Sequence, residues 1–159
     1  MNDMSVYADS SYLLQFLTPD FASTEAISLH RRLGCPGYAF VPLHDLEIPN
    51  ALRLKMFASS KLASTARSAG RRSVDNGFRR LDRYFATRCF RRTPFDWEKV
   101  AREAQSLSER FTPKLGSRSL DLLHIATARL QMAESFITCD RTQAATAKAA
   151  GLKVTLVRP

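Results

Sequence analysis

Cysteine is scarce and follows no pattern. Cys35, Cys89 and Cys139 are an odd number with no CxxC pair. That argues against a disulfide framework and a thiolate zinc site, and it suits a reducing compartment. The only histidines, His30, His44 and His124, show no cluster that would bind a transition metal. There is no glycine-rich phosphate loop, and no Ser-His-Asp or Cys-His arrangement has sequence support. No apolar run approaches the length of a membrane span. The first residues lack a basic stretch followed by an apolar one, so the expectation is a cytoplasmic protein with no membrane partner. Repeats, low-complexity tracts and linkers are also missing. The 159 residues therefore read as one domain, 1–159, long enough to bury a proper core.

Negative charge is short as well. Fifteen acids face twenty-four lysines and arginines, a net charge of +9. The surplus is local. Between residues 61 and 92 stand ten basic residues against Asp75 and Asp82, while the rest of the chain is nearly neutral. A solvated helix face is the ordinary fate of a charge run. Concentration on one segment of a neutral body points instead to a polyanion such as RNA, or to an acidic partner protein, with Arg71, Arg72, Arg79, Arg80 and Arg83 as its contacts.

Apolar segments and turn signals alternate along the chain. Strands are expected at 4–8, 38–41, 87–92, 135–139 and 153–157. Helices are expected at 12–17, 21–33, 43–57, 63–86, 96–111, 119–131 and 141–150. Pro49 should kink or restart its helix, and Gly70 should break the basic one. Trp97, Val100, Ala104 and Leu107 share one helical face, and with Phe95, Phe111 and Tyr84 the aromatic residues read as core. Alternation of this kind predicts an α/β protein whose mostly parallel sheet of four to five strands is flanked by helices as an α/β/α sandwich.

Four acids stand at the ends of apolar segments: Asp9, Glu47, Asp121 and Asp140. Each also has an ordinary structural explanation. Asp9 and Asp140 suit helix N-caps, Glu47 a solvated face, and Asp121 the first turn of a helix capped by Ser119. Together they form a pattern. Parallel sheets bind ligands beyond the carboxyl ends of their strands. Asp9 and Asp140 fall at such ends, and Glu47 and Asp121 enter from the same side. Carboxylates about 4 Å apart repel by roughly 4 kcal/mol per pair at an effective dielectric near 20, so such a group needs a cation, shared protons or basic neighbours. Oxygen ligands alone suit Mg²⁺ or Mn²⁺. Arg118 and Arg141 flank two of the acids and offer salt bridges as the alternative. His124, three residues after Asp121, reads as a packed histidine bonded to a nearby carbonyl or carboxylate.

In VYADSSYLLQFL, LHDLEIPNALRL, LGSRSLDLLHIATARL and FITCDRTQAATAKAAGLKV the sequence resembles PIN-domain proteins, and among them the VapC-type toxins of bacterial toxin–antitoxin pairs. The likeness runs from near the first residue to near the last. It implies a PIN-like nuclease fold, with Asp9, Glu47, Asp121 and Asp140 as the metal-binding catalytic acids and Ser11 and Thr138 supporting them. It implies a Mg²⁺- or Mn²⁺-dependent endoribonuclease that hydrolyses phosphodiester bonds to leave a 5′-phosphate and a 3′-hydroxyl. A VapB-like antitoxin, a homodimer and a higher toxin–antitoxin complex are implied as partners. Pro49 departs from the family pattern two residues after Glu47, in a helix where the family has an uninterrupted run, which makes Glu47 conditional on how Pro49 bends that helix. Three other readings remain. One is an RNA-processing nuclease outside a toxin system. Another is a phosphoryl-transfer or receiver protein using Asp9, whose paired acids are missing here. The third is a non-catalytic module whose acids are only caps.

Overall fold

The computed structural model describes residues 6–158. It is an α/β protein in which helices dominate. In chain order the elements are β1 (Val6–Ala8), α1 (Ser10–Leu13) continued by a 3-10 turn (Leu14–Phe16), α2 (Thr24–Arg32), β2 (Tyr38–Phe40), α3 (Pro42–Ser60) and α4 (Ser64–Ala86). They continue with β3 (Phe90–Arg92), α5 (Trp97–Leu115), α6 (Ser119–Leu130), β4 (Ser135–Thr138), α7 (Arg141–Ala149) and β5 (Lys153–Leu156). Every strand pairing is parallel. Met4 and Ser5 of the expected first strand lie outside the described residues.

The five strands pair as three and two, in the orders β1-β4-β5 and β2-β3, where one sheet of four to five was expected. β1 and β2 are neighbours without a ladder. A buried imidazole stands in for part of it. His44 Nδ1 accepts from the Val41 N–H at 3.0 Å, which leaves Nε2 protonated to donate to the Ala8 carbonyl at 3.0 Å. Burial holds His44 well below the usual histidine range, in keeping with that neutral form.

Alternation along β1 and β4 divides the core. Tyr7 and Phe136 face one cluster, with Val100 and Leu107 of α5, Leu122 and Ile125 of α6, and Ala147 of α7. Ala8 and Ile137 face the other, with Leu13, Leu29 of α2, Tyr38 and Phe40 of β2, and Ile48 of α3. The strands therefore carry helices on both faces. Trp97 departs from expectation. The rest of its predicted face, Val100, Ala104 and Leu107, is buried, but Trp97 itself is 53% exposed.

Neither Pro49 nor Gly70 ends its helix. α3 runs through Pro49 without interruption. α4 runs through Gly70, whose role is close approach. A Cβ at Gly70 would lie 2.1 Å from Ser59 Oγ, and one at Gly77 would lie 2.9 Å from Leu52 Cδ2. The pairs 59–70 and 52–77 run in opposite senses, so α3 and α4 are antiparallel and meet along the two glycines. No described helix is long and apolar enough to cross a membrane.

Candidate functional site

Parallel pairing gathers two of the acids. β1 and β4 align Val6 with Ser135 and Ala8 with Ile137, and the Asp9 N–H donates to the Ile137 carbonyl at 3.0 Å. Asp9 therefore leaves the sheet beside Thr138, two residues before Asp140. Both acids cap the helix that follows. Asp9 Oδ1 accepts from the Tyr12 N–H at 3.0 Å, and Asp140 Oδ1 accepts from the Gln143 N–H at 2.9 Å. As predicted, each is an N-cap. The other two acids arrive from helices packed over this end. Asp121 sits in the first turn of α6, and Glu47 two turns into α3.

All four line one cavity of about 100 Å³, together with Ser10, Ser11, Arg118, His124 and Gln143. Asp9 is the deepest. Ser11 Oγ donates to its carboxylate at 2.8 Å, and Thr138 Oγ1 donates to Oδ2 at 2.9 Å. Ser11 also accepts from the Cys139 N–H at 2.9 Å, and Thr138 from the Asp140 N–H at 2.9 Å. The two hydroxyls thus tie the first strand end to the last. Burial pushes the Asp9 carboxyl up to about 6, although His124, the Tyr12 N–H and both hydroxyls oppose the rise.

Glu47 is held by a chain of buried groups. Burial keeps the Tyr7 phenol well above its usual range, and its protonated oxygen shares a 2.7 Å hydrogen bond with His124 Nδ1. His124 Nε2 then meets Glu47 Oε2 at 2.5 Å, and Ser10 Oγ donates to the same oxygen at 2.6 Å. Burial acts to raise Glu47, but the bond and charge of His124, the bond from Ser10 and the charge of Arg118 outweigh it and hold the carboxyl below the usual range. Pro49 has not turned the carboxylate away.

Asp121 and Asp140 share Arg118. Its Nε donates to Asp121 Oδ2 at 3.0 Å, and its Nη2 donates to Asp121 Oδ1 at 3.4 Å and to Asp140 Oδ2 at 2.9 Å. Arg118 thus makes the salt bridges its position suggested. Arg141 makes none among the described residues.

A divalent cation fits this donor set by type, since four carboxylates and two serine hydroxyls offer hard oxygens. Asp121 and Asp140 are drawn to Arg118, Glu47 to His124, and Asp9 to Ser11 and Thr138. Among the described residues no three acidic, His or Cys side chains stand in a metal-holding arrangement.

The five α4 arginines expected to grip RNA or a partner lie elsewhere. All are exposed, none forms an ion pair among the described residues, and α4 gives no residue to the cavity. Sequence reasoning missed Tyr7, Ser10, His44 and Gln143. Gln143 carried a signal, because Asp140-x-x-Gln143 has capping-box spacing, although its side-chain amide turns to the Thr138 hydroxyl at 2.7 Å. Tyr7 and His124 are 117 positions apart, and nothing local links them. No protein-family model matches the sequence, and no curated protein matches it.

Proposed function

We propose that this chain is a cytoplasmic, metal-dependent endoribonuclease with a PIN-like central sheet, in which β2-β3 extends β1-β4-β5, and that it acts as the toxin of a VapBC-type pair. One observation carries the reading. Asp9, Glu47, Asp121 and Asp140, far apart in sequence, line a single small cavity beyond the carboxyl ends of β1 and β4. Gathering four carboxylates in one pocket, two buried and two half-buried, opposes stability unless positive charge offsets it, and Arg118 reaches only three of them. The fold therefore tolerates a cost that function explains.

In this reading the four acids hold Mg²⁺ or Mn²⁺. An ion held there would supply positive charge to a phosphodiester oxygen and would acidify a water. The chain's own groups do the rest. Ser11 and Thr138 fix the Asp9 carboxylate from behind. Tyr7, His124 and Ser10 hold Glu47 ionised and aimed into the cavity. The exposed arginines of α4 grip RNA backbone away from the cut, without reading sequence. An acidic antitoxin segment is a second occupant for the same face, and toxin dimerisation completes the assembly.

The test is a single-stranded RNA incubated with the protein and Mn²⁺ or EDTA. Cleavage in Mn²⁺ alone, with 5′-phosphate ends, is the expected result. Intact RNA in both contradicts the nuclease reading.

A second reading has its own observation. Asp9 and Asp140 already cap helices and Arg118 already neutralises Asp121 and Asp140, so a non-catalytic binding module accounts for those three. It does not account for Glu47 on its buried Tyr7–His124 chain. Such a module takes up no Mn²⁺ in a calorimetric titration.

A further inference from the structure

Arg118 stands where a cation would act. It is the N-cap residue of α6, with extended backbone (φ −88°, ψ 156°), and makes no capping bond with its side chain. The guanidinium instead reaches back over the cavity. One nitrogen, Nη2, bridges carboxylates from two different elements, Asp121 at 3.4 Å and Asp140 at 2.9 Å. Three of the four acids therefore share its charge, since Glu47 also feels it.

Its exposure differs from that of its partners. The Arg118 side chain is 70% exposed, against 10% for Asp121. An exposed guanidinium that leaves is rehydrated at once, and an ion pair of this kind stabilises by only about 0–1 kcal/mol. The acids it leaves behind are mostly sheltered from water and repel one another, so they cannot stay uncompensated. A divalent cation and the guanidinium thus compete for the same oxygens, and the guanidinium is the cheaper to move.

There is room for it beside the site. A second cavity of about 260 Å³ adjoins the first and shares Glu47, Arg118 and Asp121 with it, Ser119 and Leu120 forming its other wall. A guanidinium displaced there remains at the mouth of the acid pocket. Its planar fork suits two oxygens of a phosphodiester.

Resting on the reading of the acids as a divalent-metal site, we propose that Arg118 is a resident counter-ion of the pocket, which the metal displaces and which then grips the substrate phosphodiester at the pocket mouth. Arg118 is a competitor of the metal and a ligand of the RNA. Removing its charge therefore moves the two affinities in opposite directions. A merely structural salt bridge would move neither in that way.

The experiment titrates Mn²⁺ into the metal-free full chain by calorimetry for wild type, Arg118→Gln, Arg118→Lys and Asp121→Asn. It also measures binding of a single-stranded RNA oligonucleotide by fluorescence anisotropy with Ca²⁺ present. Arg118→Gln should bind Mn²⁺ on the order of tenfold tighter than wild type, because the like charge is gone. Arg118→Lys, which keeps the charge, should stay near wild type for Mn²⁺ but lose the fork. Both variants should bind RNA roughly tenfold more weakly. Mn²⁺ binding by wild type with no gain in Arg118→Gln, or unchanged RNA affinity in both variants, overturns the inference and leaves the metal site standing. Failure of wild type and Arg118→Gln alike to bind Mn²⁺ overturns the metal site itself, and the inference with it.

Discussion

At the scale of single residues, Asp9 carries a signature that can be read without RNA. Its carboxyl is raised to about 6 by burial, above the ordinary 3.8. A carboxyl raised in the fold favours the folded state where it is protonated in both states, below about pH 4, and loses that stabilisation as pH rises through 6. In EDTA the stability of Asp9→Asn relative to wild type should therefore grow between pH 4 and pH 7, by on the order of 3 kcal/mol. Urea denaturation at the two pH values measures it. A difference that does not change with pH would mean that Asp9 titrates normally. Saturating Mn²⁺ at pH 7 should raise the wild-type midpoint and leave Asp9→Asn little changed. Asp9, Asp121 and Asp140 were legible in sequence because each stands beside an apolar segment at a strand or helix boundary, and Glu47 because it stands among the apolar residues of a helix. Their partners were not. The Tyr7–His124–Glu47 chain joins three elements through side chains alone, and apolar periodicity says nothing about hydrogen bonds between residues 77 or 117 positions apart.

At the scale of elements, the departures from expectation share one cause. Local propensity marks Pro49 and Gly70 as breaks, and tertiary packing overrides both. Ile48 and Leu52 bury one side of α3 in the core, which holds the helix together across the proline. Gly70 and Gly77 instead let α4 lie close on α3. In an exposed helix, glycine to alanine would gain roughly 1 kcal/mol. Here Gly70→Ala should destabilise by about 1–3 kcal/mol, because its Cβ meets Ser59 Oγ and Cβ at 2.1 and 2.4 Å. Adding Ser59→Gly should restore part of the loss, and thermal unfolding of the single and double variants checks both. A stabilised Gly70→Ala would show that the helices are not in close contact there. The strands were easier to foresee. All five stand where apolar runs and turn signals put them, but their pairing depends on long-range register, and the gap filled by His44 has no local mark.

At the scale of the whole molecule, charge is divided by task. Four of the fifteen acids line one cavity, and five exposed arginines that form no ion pair among the described residues lie on α4 outside it. If the α4 face holds RNA backbone, replacing Arg79, Arg80 and Arg83 with alanine should weaken RNA binding and reduce its log–log salt slope by about 2. An unchanged slope would assign that face to a protein partner. The sequence marked this patch by density of charge, but it could not show that α4 adds nothing to the acid pocket, since that depends on how α3 and α4 pack. The central claim concerns the pocket, and RNA cleavage by Asp9→Asn and Asp121→Asn tests it most directly. With Mn²⁺ present and folding verified by circular dichroism, wild type should cut single-stranded RNA and both variants should fall by at least about a hundredfold, the scale on which loss of a metal-orienting group acts. Cleavage at the wild-type rate by either folded variant would contradict the account.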